Sequence, residues 1–314
     1  MSSPQVLLLI DASPTSRAAL TSAARLARQQ HGELIALFVE DQDLHASAGH
    51  PFTREISALS GESRPFDRET LLTRLAQQRH QIETMLTELD RDAPLRWRLD
   101  VVTGPVFESV RAAAQTADWV VMGKTGWSAG HGARLGSVAR RLLESGCRRL
   151  LLWQATTESE MKPVRRIVRP AAHPVGRSTT ARAPQRTEER RAPVVALLTS
   201  QSAAETVVLA AHAIAVATDR PCHLFMHPGI DPATLPSLVA WRQEGEPPLV
   251  LELIDAPSAD VESAPDPTLL RTLQQTRASV VVLAADAGAT IGRPLADLIA
   301  DIHHPVILVP SAPV

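Results

Sequence analysis

The chain has 314 residues, 44% of them hydrophobic, which is enough for two domains with cores of their own and argues against wholesale disorder. Only 3% are aromatic and none is Tyr, which argues against a stacking platform for single-stranded nucleic acid. A formal net charge of −2 gives no reason to expect a nucleic-acid or membrane partner.

In chain order, Val6–Ile10 is a continuous apolar run, as expected of a parallel strand covered on both faces. The residues before it carry no basic segment, so the run is a buried strand rather than a signal peptide. Ser13-Pro14 supplies an N-cap and a proline at the first helical position, and Gly32 stops the helix that follows. Glu33–Glu40 is a second strand, residues 41–67 a long polar connection, and Arg68–Leu89 an amphipathic helix with a solvated charged face. Trp97–Val102 and Asp118–Met122 are the next strands, with Val106–Gln115 helical between them. Ser137–Ser145 is a helix, and Arg149–Trp153 closes the half. Strands alternating with helices imply a parallel sheet with right-handed crossovers.

Between Met161 and Pro193 the composition shifts to Lys162, eight arginines and five prolines without an apolar period, the mark of a solvated linker. The pattern then restarts. Val194–Thr199, His223–Met226, Leu249–Ile254, Val280–Ala284 and Val306–Val309 are strands. Helices are expected at Ala203–Ala217, around Leu269–Thr276, and at Pro294–Ala300. The order of elements repeats, which indicates an internal duplication: residues 1–154, a linker at 155–193, and a second domain at 194–314. No segment approaches the ~18 apolar residues of a membrane span. The two isolated cysteines, Cys147 and Cys222, fit a reducing compartment, and Cys147 is expected to pack beside the closing strand rather than react, so a cytoplasmic protein is expected.

The segment Val120–Leu143 concentrates the chemistry. A buried strand ends at Met122, Gly123 and Gly126 follow, and after nine residues Gly136-Ser137 opens a helix. Glycines at such a junction let the backbone reach positive φ and approach a ligand closely. The amides and dipole at the helix start then make a phosphate cradle, with Ser137 adding a hydroxyl and Lys124 a charge. The carboxyl end of a central strand is where open α/β sheets bind ligands. The bland alternatives are a plain strand–helix turn for the glycines, a helix-capping role for Asp11, and a solvated loop position for His131.

The spacing Gly123-x2-Gly126-x9-Gly136-Ser137 resembles the ATP-binding signature of the universal stress protein (UspA-like) superfamily. Asp11 at the end of LLLIDASPTS, Val39 in LFVED, the Thr103-Gly104-Pro105 turn and the closing CRRLLLW resemble that family over residues 4–154. The resemblance implies two Rossmann-like α/β domains of the adenine nucleotide α-hydrolase type, each an open parallel five-stranded sheet with helices on both faces. It implies that Asp11, Ala12 and Val39 hold adenine, that Met122, Gly123 and Gly126 line the ribose and α-phosphate, and that Gly136, Ser137 and Val138 bind the outer phosphates. The ligand would be ATP or another adenine nucleotide, with or without Mg²⁺. Closing strands pair domains in this family, so Leu150–Trp153 and Val306–Val309 are expected to give an intrachain pseudo-dimer or a homodimer.

The second half departs from this pattern. Its first strand ends Leu198-Thr199-Ser200 without an Asp, and Ala284-Ala285-Asp286-Ala287-Gly288 replaces the glycine frame. A structural module without nucleotide is expected there. No acidic residue stands between Gly123 and Ala139, so the expected role is ligand-modulated stress regulation, with slow ATP hydrolysis at most. The rival reading is a nucleotide-independent scaffold or regulator that binds a protein partner.

Overall fold

The computed structural model describes residues 3–11, 13–57, 60–125, 135–146, 149–153, 192–227, 229–244, 247–253, 273 and 276–311. All but the last two residues of the expected linker, Cys147, His131, Ala12, Gly126 and all but two residues of the helix expected at Leu269–Thr276 lie outside the described residues.

In the N-terminal half, β1 (Gln5–Leu9), β2 (Glu33–Asp41), β5 (Arg96–Gly104), β6 (Trp119–Gly123) and β7 (Leu150–Trp153) are parallel and lie in the order β5-β2-β1-β6-β7. In the C-terminal half, β8 (Val194–Leu198), β9 (Cys222–Met226), β10 (Leu249–Leu253), β11 (Val280–Ala284) and β12 (Val306–Val309) repeat it as β10-β9-β8-β11-β12. Numbered within each half, both orders are 3-2-1-4-5. The two closing strands pair antiparallel, with Leu150 opposite Leu308 and Leu152 opposite Val306, and make one ten-stranded sheet.

The central strands are apolar on both faces because helices cover both. One layer holds α1 (Pro14–Gln29), α3 (Arg68–Asp92), α6 (Gln201–Thr218) and α7 (Pro236–Glu244); the other holds α4 (Val106–Ala114), α5 (Ser137–Glu144), α8 (Ala287–Ile291) and α9 (Leu295–Asp301). Small side chains bring the two long helices close to the sheet: Ala19, Ala23, Ala24 and Ala27 in α1, and Ala203, Ala204, Ala211 and Ala215 in α6, are buried. Each face carries an apolar cluster with members from both halves, so the core does not stop at the seam.

Three details depart from the sequence reading. The stretch after β2 is not a plain connection: Asp41 caps α2 (Gln42–Ala48), and Arg54–Ile56 pairs with Ser63–Pro65 as the hairpin β3–β4. Gly32 is not the left-handed stop of α1, because His31 takes that conformation (φ 49°); Gly32 is needed where a Cβ would meet the Pro4 carbonyl oxygen at 2.3 Å. In the second half, α7 and the 3₁₀ turn Pro232–Thr234 before it cover the sheet through Leu238 and Trp241. Trp241 is 1% exposed, donates its indole N–H to the Pro247 carbonyl (2.9 Å) and packs on His212.

Candidate functional site

Strand order reverses between β1 and β6, and the crevice beyond their carboxyl ends is the position an open α/β sheet offers a ligand. The elements there are local consequences of sequence. Ser13 caps α1, accepting from the Ser16 amide at 3.2 Å, and Pro14 occupies the first helical turn. Asp11 braces this turn: its Oδ1 accepts from the Ser16 hydroxyl and from the Ser13 amide (3.1 Å). The helix-capping alternative for Asp11 therefore has a physical basis. The pairing of Leu9 with Leu37 brings Asp11, two residues on, to the level of half-buried Val39.

Met122 and Gly123 end β6 as buried residues, while Gly136, Ser137 and Val138 start α5, with Ser137 exposed. The first reaches the second through one main-chain bond, from the Gly136 amide to the Lys124 carbonyl (2.7 Å). The two glycines do not serve through positive φ. Gly136 has φ −71°, and Gly123 lies in the strand, where a Cβ would stand 2.9 Å from Thr15 Cγ2 and 3.0 Å from the Thr125 carbonyl oxygen. Close approach of β6 to α1 is what demands glycine at 123. No side chain caps α5, and its first turn holds no acid. The structure thus brings Asp11, Val39, Met122, Gly123 and the start of α5 to one end of the sheet, and Gly126 and Ala12 lie outside the described residues.

One expectation is overturned. Lys124 does not lend its charge to the loop. Its side chain is 1% exposed and points across the seam, where Nζ donates to the carbonyls of Ile299 (3.2 Å) and Ile302. Burial pushes its pKa down to about 7. Strand alternation explains the direction: Lys124 continues the face of Val120 and Met122, which packs against α5 and the second half. The available signal was usage, since Lys124 and Lys162 are the two lysines in a chain with 32 Lys and Arg combined.

A second polar cluster was not anticipated. Glu40, buried at the end of β2, lies 3.4 Å from His45 Nε2 and 3.6 Å from Arg79 Nε, and accepts from the Thr103 hydroxyl at 3.3 Å. It ties α2, α3 and β5 together beside Val39. A cleft of about 490 Å³ lined by Arg111, Gln115, Asp118, Ser145 and Arg149 lies at the opposite end of the sheet. The carboxyl ends of α4 and α5 face it, so helix dipoles disfavour an anion there.

In the second half a short helix stands at the equivalent place. The Ala285 amide donates to the Val309 carbonyl just as that of Lys124 donates to Trp153, which makes the two positions equivalent. Between Ala285 and α9, α8 fills the turn, and a Cβ on buried Gly288 would meet the Leu295 amide nitrogen at 2.7 Å. Pro294, which has no N–H, stands at the N-cap, and Asp297 places a carboxylate in the first turn of α9. Thr199 occupies the place of Asp11, with its hydroxyl buried.

Among the described residues no group of three or more His, Cys, Asp or Glu side chains is placed to hold a metal ion, and no helix is long and apolar enough to cross a membrane. Cys222 is buried in β9 and burial pushes its thiol up to about 12, far from reactive thiolate.

Residues 4–146 match the universal stress protein family. Among solved structures, the chain is similar to a universal stress protein from Archaeoglobus fulgidus DSM 4304, 12% identical, with a TM-score of 0.57 over 98% of this chain and 97% of that one. A functionally unknown protein from Pseudomonas aeruginosa PAO1 is 14% identical, with a TM-score of 0.50 over 98% and 92% of the two chains. A universal stress protein in complex with cAMP, 17% identical, covers 50% of this chain and 100% of its own, with a TM-score of 0.32. Among curated proteins none matches the chain.

Proposed function

The N-terminal half of this chain, residues 4–146, is a universal stress protein domain, and from that premise we propose that it binds an adenine nucleotide, ATP first among them, as a regulatory ligand in a stress response. The observation that supports this reading is the start of α5. A helix leaves its first amides without intrahelical acceptors, and here neither a capping side chain nor an acid competes for them. The Gly136 amide is committed to Lys124, so the cradle begins at Ser137, whose exposed hydroxyl adds a donor. In this reading Gly136 and Val138 flank the outer phosphates, Met122, Gly123 and Gly126 line the ribose and α-phosphate, and Asp11, Ala12 and Val39 hold adenine.

Mg²⁺, if it accompanies the nucleotide, is held by phosphates and water, since no acid lies between Gly123 and Ala139. The same absence leaves no carboxylate in that segment to act as a base for water, so the nucleotide acts by occupancy and turnover is slow at most. The second half is a structural partner, residues 155–193 a tether, and the cytoplasm the compartment that keeps two isolated thiols reduced.

One observation favours a nucleotide-independent scaffold: the Asp11 carboxylate already holds the turn into α1. Calorimetric titration of ATP, ADP and AMP into the full chain and into Gly136→Asp separates the two readings. Saturable binding near one site per chain, lost in the variant, supports the nucleotide site. No binding by the folded wild type sinks it and leaves the scaffold.

A further inference from the structure

The two equivalent helices α5 and α9 end differently. α5 closes on Gly146 in the left-handed conformation (φ 73°), whose amide returns to the Leu143 carbonyl at 3.2 Å. α9 has no such glycine. Its C-cap, Ile302, is extended (φ −80°, ψ 117°), and the carbonyls of Ile299 and Ile302 receive the ammonium of Lys124 from the other half. A lysine at a helix carboxyl end satisfies orphan carbonyls and suits the negative end of the dipole. The Ile302 amide returns to the Ile299 carbonyl at 3.3 Å, and Lys124 of the other half adds a second donor to that carbonyl and one to the Ile302 carbonyl.

The main chain of the same residue holds the candidate nucleotide turn. The Lys124 amide donates to Trp153 (2.7 Å) and its carbonyl accepts from Gly136 (2.7 Å), so one residue joins β6, β7, the start of α5 and the end of α9. Its position leaves little slack, because the backbone at Gly123 is already against Thr15. The counterpart in the second half is Ala285, which has no side chain to return the contact. The contact is therefore asymmetric, with the side chain from the first half and the carbonyls from the second.

We propose, building on the nucleotide reading above, that Lys124 is a positioning residue that couples occupancy of the start of α5 to the docking of α9, so that the second half reports on the ligand. Ligand that fixes the turn also fixes the ammonium, and with it the carbonyl end of α9; a change in α9 docking returns to the turn by the same route. The charged groups around the contact are consistent with a private link. Arg140 pairs with Asp297 at the exposed entrance (3.3 Å), and Arg293 pairs with Asp301 (2.8 Å). His304, a partly buried base held below its ordinary pKa by burial and then by Lys124, faces the same amine.

The test is hydrogen exchange on the full chain, with and without saturating ATP. In the wild type, ATP is expected to slow exchange both at residues 136–140 and at 299–304. In Lys124→Met the effect at 299–304 should vanish, with ATP affinity about tenfold weaker, within the usual range of intersite coupling. Lys124→Gln, which keeps an N–H donor but no charge, serves if the methionine variant fails to fold, and should lose the same distant response. ATP that protects 136–140 but leaves 299–304 unchanged in the wild type overturns the coupling while the nucleotide site stands. A distant response that survives in a folded variant removes Lys124 as its carrier. ATP that fails to bind at all overturns both.

Discussion

The two strand-to-helix connections after β6 and β11 occupy the same place in the same topology, yet the helices they lead to start differently. After β6, the chain arrives at a helix whose first turn is uncapped and free of acid. After β11, a five-residue helix follows at once, a proline stands at the N-cap of α9 and Asp297 lies in its first turn. Packing of the sheet is intact in both. Fold and ligand chemistry are thus separable: apolar strands and small-residue helices preserve the architecture, while a handful of turn residues decides whether a helix start is available.

That contrast can be broken from either side. The largest effect is expected in the second half, where Trp241→Ala should cost about 3–5 kcal/mol by leaving a cavity under α7, read as a lower midpoint in urea unfolding. In the first half, Gly136→Asp should weaken ATP by about 100-fold, on the order of 3 kcal/mol, through repulsion of phosphate and loss of charge-assisted donors. Pro294→Asp, its counterpart, should leave ATP titrations unchanged. Parity between these two variants would mean that the halves do not differ as described.

The third effect is a pH dependence. Lys124 is held at about 7 against an unfolded value of 10.5, so between those values the unfolded chain carries more protons than the folded one. Stability should therefore rise with pH across that window, by up to about 1.4 kcal/mol per unit, and level off below pH 7. Cys222 acts in the opposite sense above its unfolded value of 9.0, because burial holds its thiol at about 12 in the folded chain, so the rise is cleanest between pH 7 and 9. Denaturant unfolding from pH 7 to pH 9 should show the rise, and Lys124→Met should flatten it. A wild-type profile without slope would refute the burial of a proton-shedding amine at the seam.

Smaller effects should follow at the margins. Glu40→Ala removes the acceptor shared by His45, Arg79 and Thr103 and should cost about 1–2 kcal/mol in thermal unfolding, because its partners remain part-solvated. Asp297→Asn breaks an exposed ion pair across the seam and should stay within about 0.5 kcal/mol.

The architecture was legible because its signals are local. Runs such as Val6–Ile10 and Val280–Ala284 are too apolar for anything but strands covered on both faces, and alanines at helical spacing mark α1 and α6. The spacing from Gly123 to Ser137 likewise located a strand-to-helix turn. What escaped was set by tertiary contact. Val39 and Asp11 come level through strand register rather than through anything adjacent in sequence. Residues 41–67 look polar because their helix and hairpin lie on the surface. Lys124 was misread because a lysine in a glycine turn invites a phosphate, whereas its partners are carbonyls about 175 residues away.

The antiparallel pairing of β7 with β12 carries one more consequence. Where two copies of a chain meet on a twofold axis, every substitution appears twice and must suit both sides of the contact. Here both sides are written separately in one polypeptide, and each meets its partner at a concentration fixed by their sharing one chain rather than by expression. A change can therefore be made once. A lysine on one side and an alanine on the other is a pairing that a symmetric assembly has no means of encoding.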